Sequence, residues 1–216
     1  MEILEQRNQK QLVVWSSIVI VSVIALFGLW KMTTKDNNPI QFTFTNSDHI
    51  FGQNESKVTI VEYSDFQCPA CRYYYNLIQP IKEKYKDKIT FVYRNFPLTN
   101  SHKFAQVAAQ AAESAGRQNK FYEMHDKLFD NQNIWSVTTD PKPEFKKYAQ
   151  ELKLDVEKWE KDFDSTEVKS KIDADVQSAR DIGVNQTPTF YLNGVQMAGF
   201  SSSGDFEKSI QAALSK

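Results

Sequence analysis

The chain has 216 residues, room for one ordinary domain plus an appendage, and its 41% hydrophobic and 25% charged residues fit a globular protein with a real core. A formal net charge of −1 offers no bulk attraction to a polyanion, so nucleic acid is excluded as a charge-selected partner. Two cysteines, Cys68 and Cys71, cannot build a multi-bridge disulfide framework, so these sulfurs act on each other or on another molecule.

In chain order, residues 1–11 form a polar tail, and Leu12 to Trp30 is a 19-residue run without a charge. At about 1.5 Å per residue a helix of that length reaches roughly 28 Å, close to the hydrocarbon thickness of a bilayer. Trp15 and Trp30 stand near its two ends, where amphipathic rings favour the interface. A buried soluble helix would carry a polar face, and this run offers only Ser16, Ser17 and Ser22. A cleaved signal peptide would have a shorter apolar stretch and small residues at the cleavage site, whereas Leu29-Trp30-Lys31-Met32 follows here. An uncleaved signal anchor over 12–30 is the reading that fits. Arg7 and Lys10 before the run balance Lys31 and Lys35 after it, so flanking charge leaves the orientation open.

Residues 31–53 are polar and irregular and are expected to be a linker, with the folded domain over 54–216 opening near Lys57. Val58–Tyr63 is β-branched and nearly all apolar, as in a strand buried on both faces. It leads through Ser64-Asp65-Phe66-Gln67 to Cys68-Pro69-Ala70-Cys71. Pro69 suits the first turn of a helix, where its missing N–H costs nothing; that helix runs through Tyr85, with Lys82-Glu83-Lys84 expected on a solvated face. A second strand, Ile89–Arg94, completes a βαβ unit, for which a right-handed crossover is the rule. From about 101 to 165 apolar residues recur at helical spacing, interrupted at Gly116 and at Asp140-Pro141-Lys142-Pro143. Val168, Ile172, Val176 and Ala179 mark a further helix closed by Gly183. The strand Thr189–Leu192 follows Thr187-Pro188, then Asn193-Gly194 makes a tight hairpin turn into Val195–Ala198, and a last helix carries Phe206, Ile210 and Leu214.

The dithiol has several possible uses. A staple closing so short a loop contributes only about 2 kcal/mol in the chain-entropy picture, too local to hold a domain. Zinc needs two more ligands, and His49, His102 and His125 show no paired spacing. Copper would want a Met or His in the turn, and none stands there. A redox pair remains: Cys68 at a helix N-terminus has unpaired N–H groups and a dipole to favour its thiolate, and Cys71 lies one turn deeper. Glu62, six residues before Cys68 on an apolar strand, is costly to bury unless it has a task; the alternative is a partly solvated sheet margin.

The order β-α-β, helical block, α-β-β-α, with C-x-x-C at the first strand–helix junction and X-Pro before the third strand, is that of the α/β thioredoxin fold. With the helical insertion, the chain resembles the DsbA-like thiol–disulfide oxidoreductases. VTIVEYSDFQCPAC (58–71) looks like that family's first strand and active-site turn, Arg94-Asn95-Phe96-Pro97-Leu98 like its second strand exit, and Phe121–Asp126 like part of its insertion. Thr187-Pro188-Thr189-Phe190 looks like its cis-proline loop and Gly199-Phe200 like the turn before its last helix. The resemblance spans roughly residues 40–216. It implies that Cys68 and Cys71 are the catalytic redox pair, that Glu62 exchanges a proton with Cys71, and that Thr187 and Pro188 bind an extended substrate segment. An ordinary proline opening an edge strand is the plainer reading of Pro188. Phe66 and Tyr73-Tyr74-Tyr75 line an apolar substrate surface or belong to the core, and His102 and His125 read as packed or surface residues.

The resemblance further implies no cofactor beyond the cysteine pair, reduced exported proteins as substrates, and a membrane partner of the quinone-linked kind to withdraw electrons. Disulfide formation is useful in an oxidising compartment, so the domain is expected outside the cell membrane, the 1–11 tail in the cytoplasm, and residues 12–30 in the lipid bilayer. One departure stands out: the family's strong oxidants carry His between the cysteines, and this chain carries Ala70. A reductase or isomerase of the same fold, and a thioredoxin-like binding module or chaperone without turnover, are the competing functions.

Overall fold

The computed structural model describes residues 15–16, 18–28 and 38–216. The chain divides into two units, Met1–Asn38 and Pro39–Lys216. In the first, residues 15–16 and 18–28 are helical and their apolar side chains are exposed, Ile24 and Leu26 at 65% each. The remainder of the expected 12–30 span (Leu12–Val14, Ser17, Leu29 and Trp30), the 1–11 tail and residues 31–37 lie outside the described residues. Among the described residues, no helix is long and apolar enough to cross a membrane.

The second unit is built on a five-stranded mixed sheet of order β1-β3-β2-β4-β5, with β1 His49–Gly52, β2 Val58–Ser64, β3 Ile89–Asn95, β4 Thr189–Leu192 and β5 Val195–Gln196. β2 and β3 are parallel, joined by helix α1 (Pro69–Lys84); the other three pairings are antiparallel. Of the fourteen residues in β2 and β3 only Thr59 is not buried, which is why both read as nearly unbroken apolar runs. One face packs Val58, Ile60, Ile89 and Phe91 against α1 and the last helix α8 (Ser203–Leu214). The other face packs Val61, Tyr63 and Val92 against α7 (Thr166–Asp181).

Between β3 and α7 the insertion contains α2 (Ala105–Gly116), α3 (Phe121–Asp130), α4 (Gln132–Trp135), α5 (Lys142–Glu151) and α6 (Val156–Phe163). Its core is aromatic and shares residues with the sheet and with the cysteine turn. Trp135 and Trp159 are fully buried, and each indole N–H finds a carbonyl, Leu128 O at 2.7 Å and Ala111 O at 3.2 Å. Burying a large apolar side chain stabilises by about 1.5–3 kcal/mol only if its polar tip is satisfied in this way. Where side-chain caps form, they sit where the sequence puts Asp or Ser: Asp155 on α6, Ser165 on α7 and Ser202 on α8 each accept the N–H three residues on.

Three expectations are corrected. The linker was expected to reach residue 53, but His49–Gly52 forms edge strand β1, and Ile40, Phe42 and Phe44 pack on the α7 side of the sheet. Four residues pairing with β3 are too short a strand to show a periodic pattern, and the segment's apolar residues are isolated among polar ones. The return strand after Asn193-Gly194 ends at Gln196 rather than Ala198. The turn itself has positive φ at both Asn193 and Gly194, as a two-residue hairpin of this type requires. Finally, Lys82 is not on a solvated face: it is 1% exposed, with its ammonium 4.5, 4.8 and 5.4 Å from the ring centres of Phe51, Tyr122 and Phe91.

Candidate active site

Strand β2 ends at Ser64, and the next four residues turn the chain onto the start of α1. Cys68 is itself the N-cap of that helix, and no side chain caps it. Pro69 at the first helical position brings no N–H, so the free amides of Ala70 and Cys71 are left for the sulfur of Cys68. Cys68 is 6% exposed and Cys71 is fully buried; both are free thiols. The Cys68 thiol is pushed down to about 5, first by the hydrogen bond from the Cys71 thiol and then by those two amides, acting against burial. The Cys71 thiol is pushed up, first by burial and then by the negative charge on its neighbour. Its sulfur accepts the backbone N–H of Asp65 at 3.5 Å.

From across the sheet comes the loop before β4. The Thr187–Pro188 peptide bond is cis, and Cys68 Sγ in its thiol form donates to Thr187 O at 3.7 Å. Glu62 lies on β2 opposite Tyr93 of β3 and Phe190 of β4, on the face that α1 covers. It is 2% exposed, and burial pushes its carboxyl up to about 7, with the charge of the Lys82 ammonium holding it lower than burial alone would. Glu62 Oε1, Ser64 Oγ and Tyr93 Oη are all buried without a direct protein partner. The five residues expected from sequence thus fall into two groups. Cys68, Cys71, Thr187 and Pro188 gather around the start of α1, with Cys68 against Thr187 and Cys71 the buried member, and Glu62 lies in the adjoining strand of the sheet.

The helical insertion braces this turn. Gln132, 6% exposed on α4, donates from Nε2 to Phe66 O at 2.7 Å and to Cys68 O at 2.9 Å. The Phe104 N–H, just before α2, donates to Gln67 Oε1 at 2.6 Å. The Asp65 carboxylate accepts the Gln67 N–H at 2.7 Å, the Leu98 N–H at 2.9 Å and His102 Nδ1 at 2.7 Å. None of Gln132, Asp65, His102 or Lys82 carries a local motif in sequence. Asp65, two residues from Gln67 in a turn, is the one whose side-chain capping of its own loop could have been suspected.

Of the aromatic residues set aside for substrate, Phe66 is 1% exposed and stacks on Tyr93 at 5.0 Å, and Tyr75 is also buried. Tyr73, 51% exposed, faces outward, with its hydroxyl donating to Ser201 O at 3.2 Å. His125 is 2% exposed among the rings of Phe66, Tyr75, Tyr93, Phe121, Tyr122 and Phe129, and burial pushes its imidazole down to about 4. A buried neutral ring in such a cluster is packing. Among the described residues, no group of three or more His, Cys, Asp or Glu side chains is arranged to hold a metal ion.

A protein-family model described as thioredoxin matches residues 45–212. Among solved structures, a thioredoxin-like oxidoreductase from Silicibacter pomeroyi DSS-3 is 25% identical with a TM-score of 0.66, covering 80% of this chain and 95% of that one. DsbA2 of Pseudomonas aeruginosa is 25% identical with a TM-score of 0.62, covering 79% and 96%. BdbD of Bacillus subtilis shares the fold at 22% identity and a TM-score of 0.71, covering 83% and 100%. The curated relatives are described as sodium/proton antiporters; that of Salinispora tropica is 36% identical over 147 residues, 68% of this chain but 22% of the relative. The chain spans about a fifth to a third of the length of the curated relatives it matches. Over residues 45–212 the chain belongs to the thioredoxin family, and its fold is similar to that of DsbA-like proteins.

Proposed function

We propose that Cys68 and Cys71 are the redox-active pair of a membrane-tethered enzyme that forms disulfide bonds in exported proteins. The observation that carries the reading is the contrast between the two sulfurs. The outer thiol is pushed down to about 5 at a bare helix start, while the inner one is buried and pushed up. At neutral pH the reduced pair therefore holds one stabilised thiolate, which favours the reduced form and makes the disulfide an oxidant.

In the cycle, a substrate thiolate attacks Cys68 Sγ; the new S–S bond forms, the Cys68–Cys71 bond breaks, and its electron pair goes to Cys71. Glu62, near neutrality at about 7 and in the adjoining strand of the sheet, supplies the proton that Cys71 then takes up. A second substrate thiolate attacks the substrate sulfur of the mixed disulfide, and Cys68 leaves as its stable thiolate. Thr187 and Pro188 sit beside Cys68 and hold an extended substrate segment by its backbone. No external cofactor enters; the electrons pass to a membrane partner, of a quinone-linked kind, that reoxidises the pair.

The uncharged run over 12–30 serves as a single-pass anchor, with 1–11 in the cytoplasm and the catalytic domain outside the membrane. The linker that joins them is shorter than the 31–53 segment, since folded packing begins at Ile40.

Expressed as the full chain in cells, Cys71→Ser should accumulate mixed disulfides through Cys68 with exported proteins, in the membrane fraction. Cys68→Ala should trap none. Equal capture by both variants, or capture of cytoplasmic proteins alone, overturns the assignment.

A further inference from the structure

Asp65 is the most heavily hydrogen-bonded side chain next to the cysteine turn, and the exchange reaction as written gives it no role. Its side chain is fully buried, and its carboxylate accepts three donors, from Gln67, Leu98 and His102. Two of these come from the turn after β3, which is closed on itself: the N–H groups of Ser101 and His102 both donate to Leu98 O at 2.8 Å. β3 also feeds into the same place, since the Phe96 N–H donates to Ser64 O at 2.8 Å. The Asp65 backbone is therefore held from both sides. Its carbonyl accepts the Cys68 N–H at 3.1 Å, and its own N–H points at Cys71 Sγ at 3.5 Å.

We propose that Asp65 and His102 are a positioning pair that aims the Asp65 amide at Cys71 and so makes Cys71 a better leaving group in disulfide exchange. The inference rests on the exchange reaction assigned to Cys68 and Cys71. When substrate attacks Cys68, the electron pair of the broken S–S bond arrives on Cys71 Sγ, a sulfur that burial disfavours as an anion. A backbone N–H already within reach at that moment stabilises the developing charge without reorganisation. His102 Nδ1 keeps it there by fixing the carboxylate, and hence the Asp65 backbone. The side chain of His102 is 20% exposed, so it can be changed without opening the core.

The test uses the full chain and its oxidised form. A small dithiol at fixed pH and concentration should cleave the Cys68–Cys71 disulfide about tenfold more slowly in His102→Leu, the loss expected for one hydrogen bond to a charged group. In His102→Asn, whose side-chain N–H can reach the same oxygen, the rate should return to wild type. In a Cys68→Ser background, His102→Leu should also raise the pH at which Cys71 forms its thiolate, read by ultraviolet absorbance. A role confined to holding the fold would lower the melting temperature and leave that midpoint in place. Asp65→Asn should behave as His102→Leu does, and if it fails to fold the His102 variants still decide the matter. Unchanged cleavage and an unchanged Cys71 midpoint in His102→Leu overturn the inference while leaving the exchange reaction standing. A wild-type protein that exchanges no thiols overturns both.

Discussion

Glu62→Gln isolates the cost of the buried carboxyl. The side chain is 2% exposed, and burial moves its titration from an ordinary 4.5 to about 7. The folded state therefore holds the proton more tightly than the unfolded chain does. Stability from this group is fully present below about pH 4.5 and is lost as pH rises through about 7. At about 1.4 kcal/mol per pH unit over that window, the wild-type protein should lose about 2–3 kcal/mol between pH 5 and pH 8 that the glutamine variant does not. The two proteins have the same shape at this position, so the difference reports ionisation rather than packing. Urea unfolding of the reduced forms across that pH range measures it. With a slope of about 2 kcal/mol per molar urea, the midpoints should converge toward the acid end and separate by about 1 M or more at the alkaline end. Parallel curves, or a variant that loses its advantage as pH rises, would refute the claim that Glu62 is buried and protonated near neutrality.

Three further outcomes follow from the same geometry. Cys71→Ser removes the thiol that does most to hold Cys68 at about 5, so the Cys68 thiolate should titrate at higher pH; an unmoved ultraviolet midpoint counts against that hydrogen bond. Gln132→Ala leaves Phe66 O without its donor in a buried setting, while Cys68 O keeps the Arg72 N–H, and should cost about 1–3 kcal/mol in urea unfolding. It should also slow exchange at Cys68, and an exchange rate equal to wild type would show that the insertion does not brace the turn. Lys82→Met removes the ammonium that draws the Glu62 carboxyl down, so Glu62 should titrate above its wild-type value, followed by its infrared carboxyl band; a midpoint at or below wild type excludes the electrostatic contact.

Much of the domain was legible because its elements satisfy local rules. The buried runs of β2 and β3, Pro69 at the helix start, the Asn193-Gly194 turn and the amphipathic helices of the insertion each follow from residue types at short spacing. Strand β1 and the packing of Ile40, Phe42 and Phe44 were not legible. Such short pieces are stabilised by a neighbour already in place, and no period within them announces it. The burial of Lys82 is hidden in the sequence for a related reason. A lysine flanked by charges looks solvated in a row of letters, yet its position on α1 points it inward, toward Phe51, Phe91 and Tyr122 from three other elements.

The cysteine pair belongs to the same division. That Cys68 and Cys71 stand one helical turn apart with a proline between them, and an acid six residues upstream, is a property of the chain alone, because helix geometry and strand alternation act over a few residues. The groups that brace this turn from outside it arrive from far along the chain: Thr187 from the loop before β4, Gln132 from α4, and His102 and Leu98 from the turn after β3. Hydrogen bonds and desolvation depend on distances of a few ångströms between groups separated by tens of residues. Only the folded arrangement decides which of them act on which sulfur.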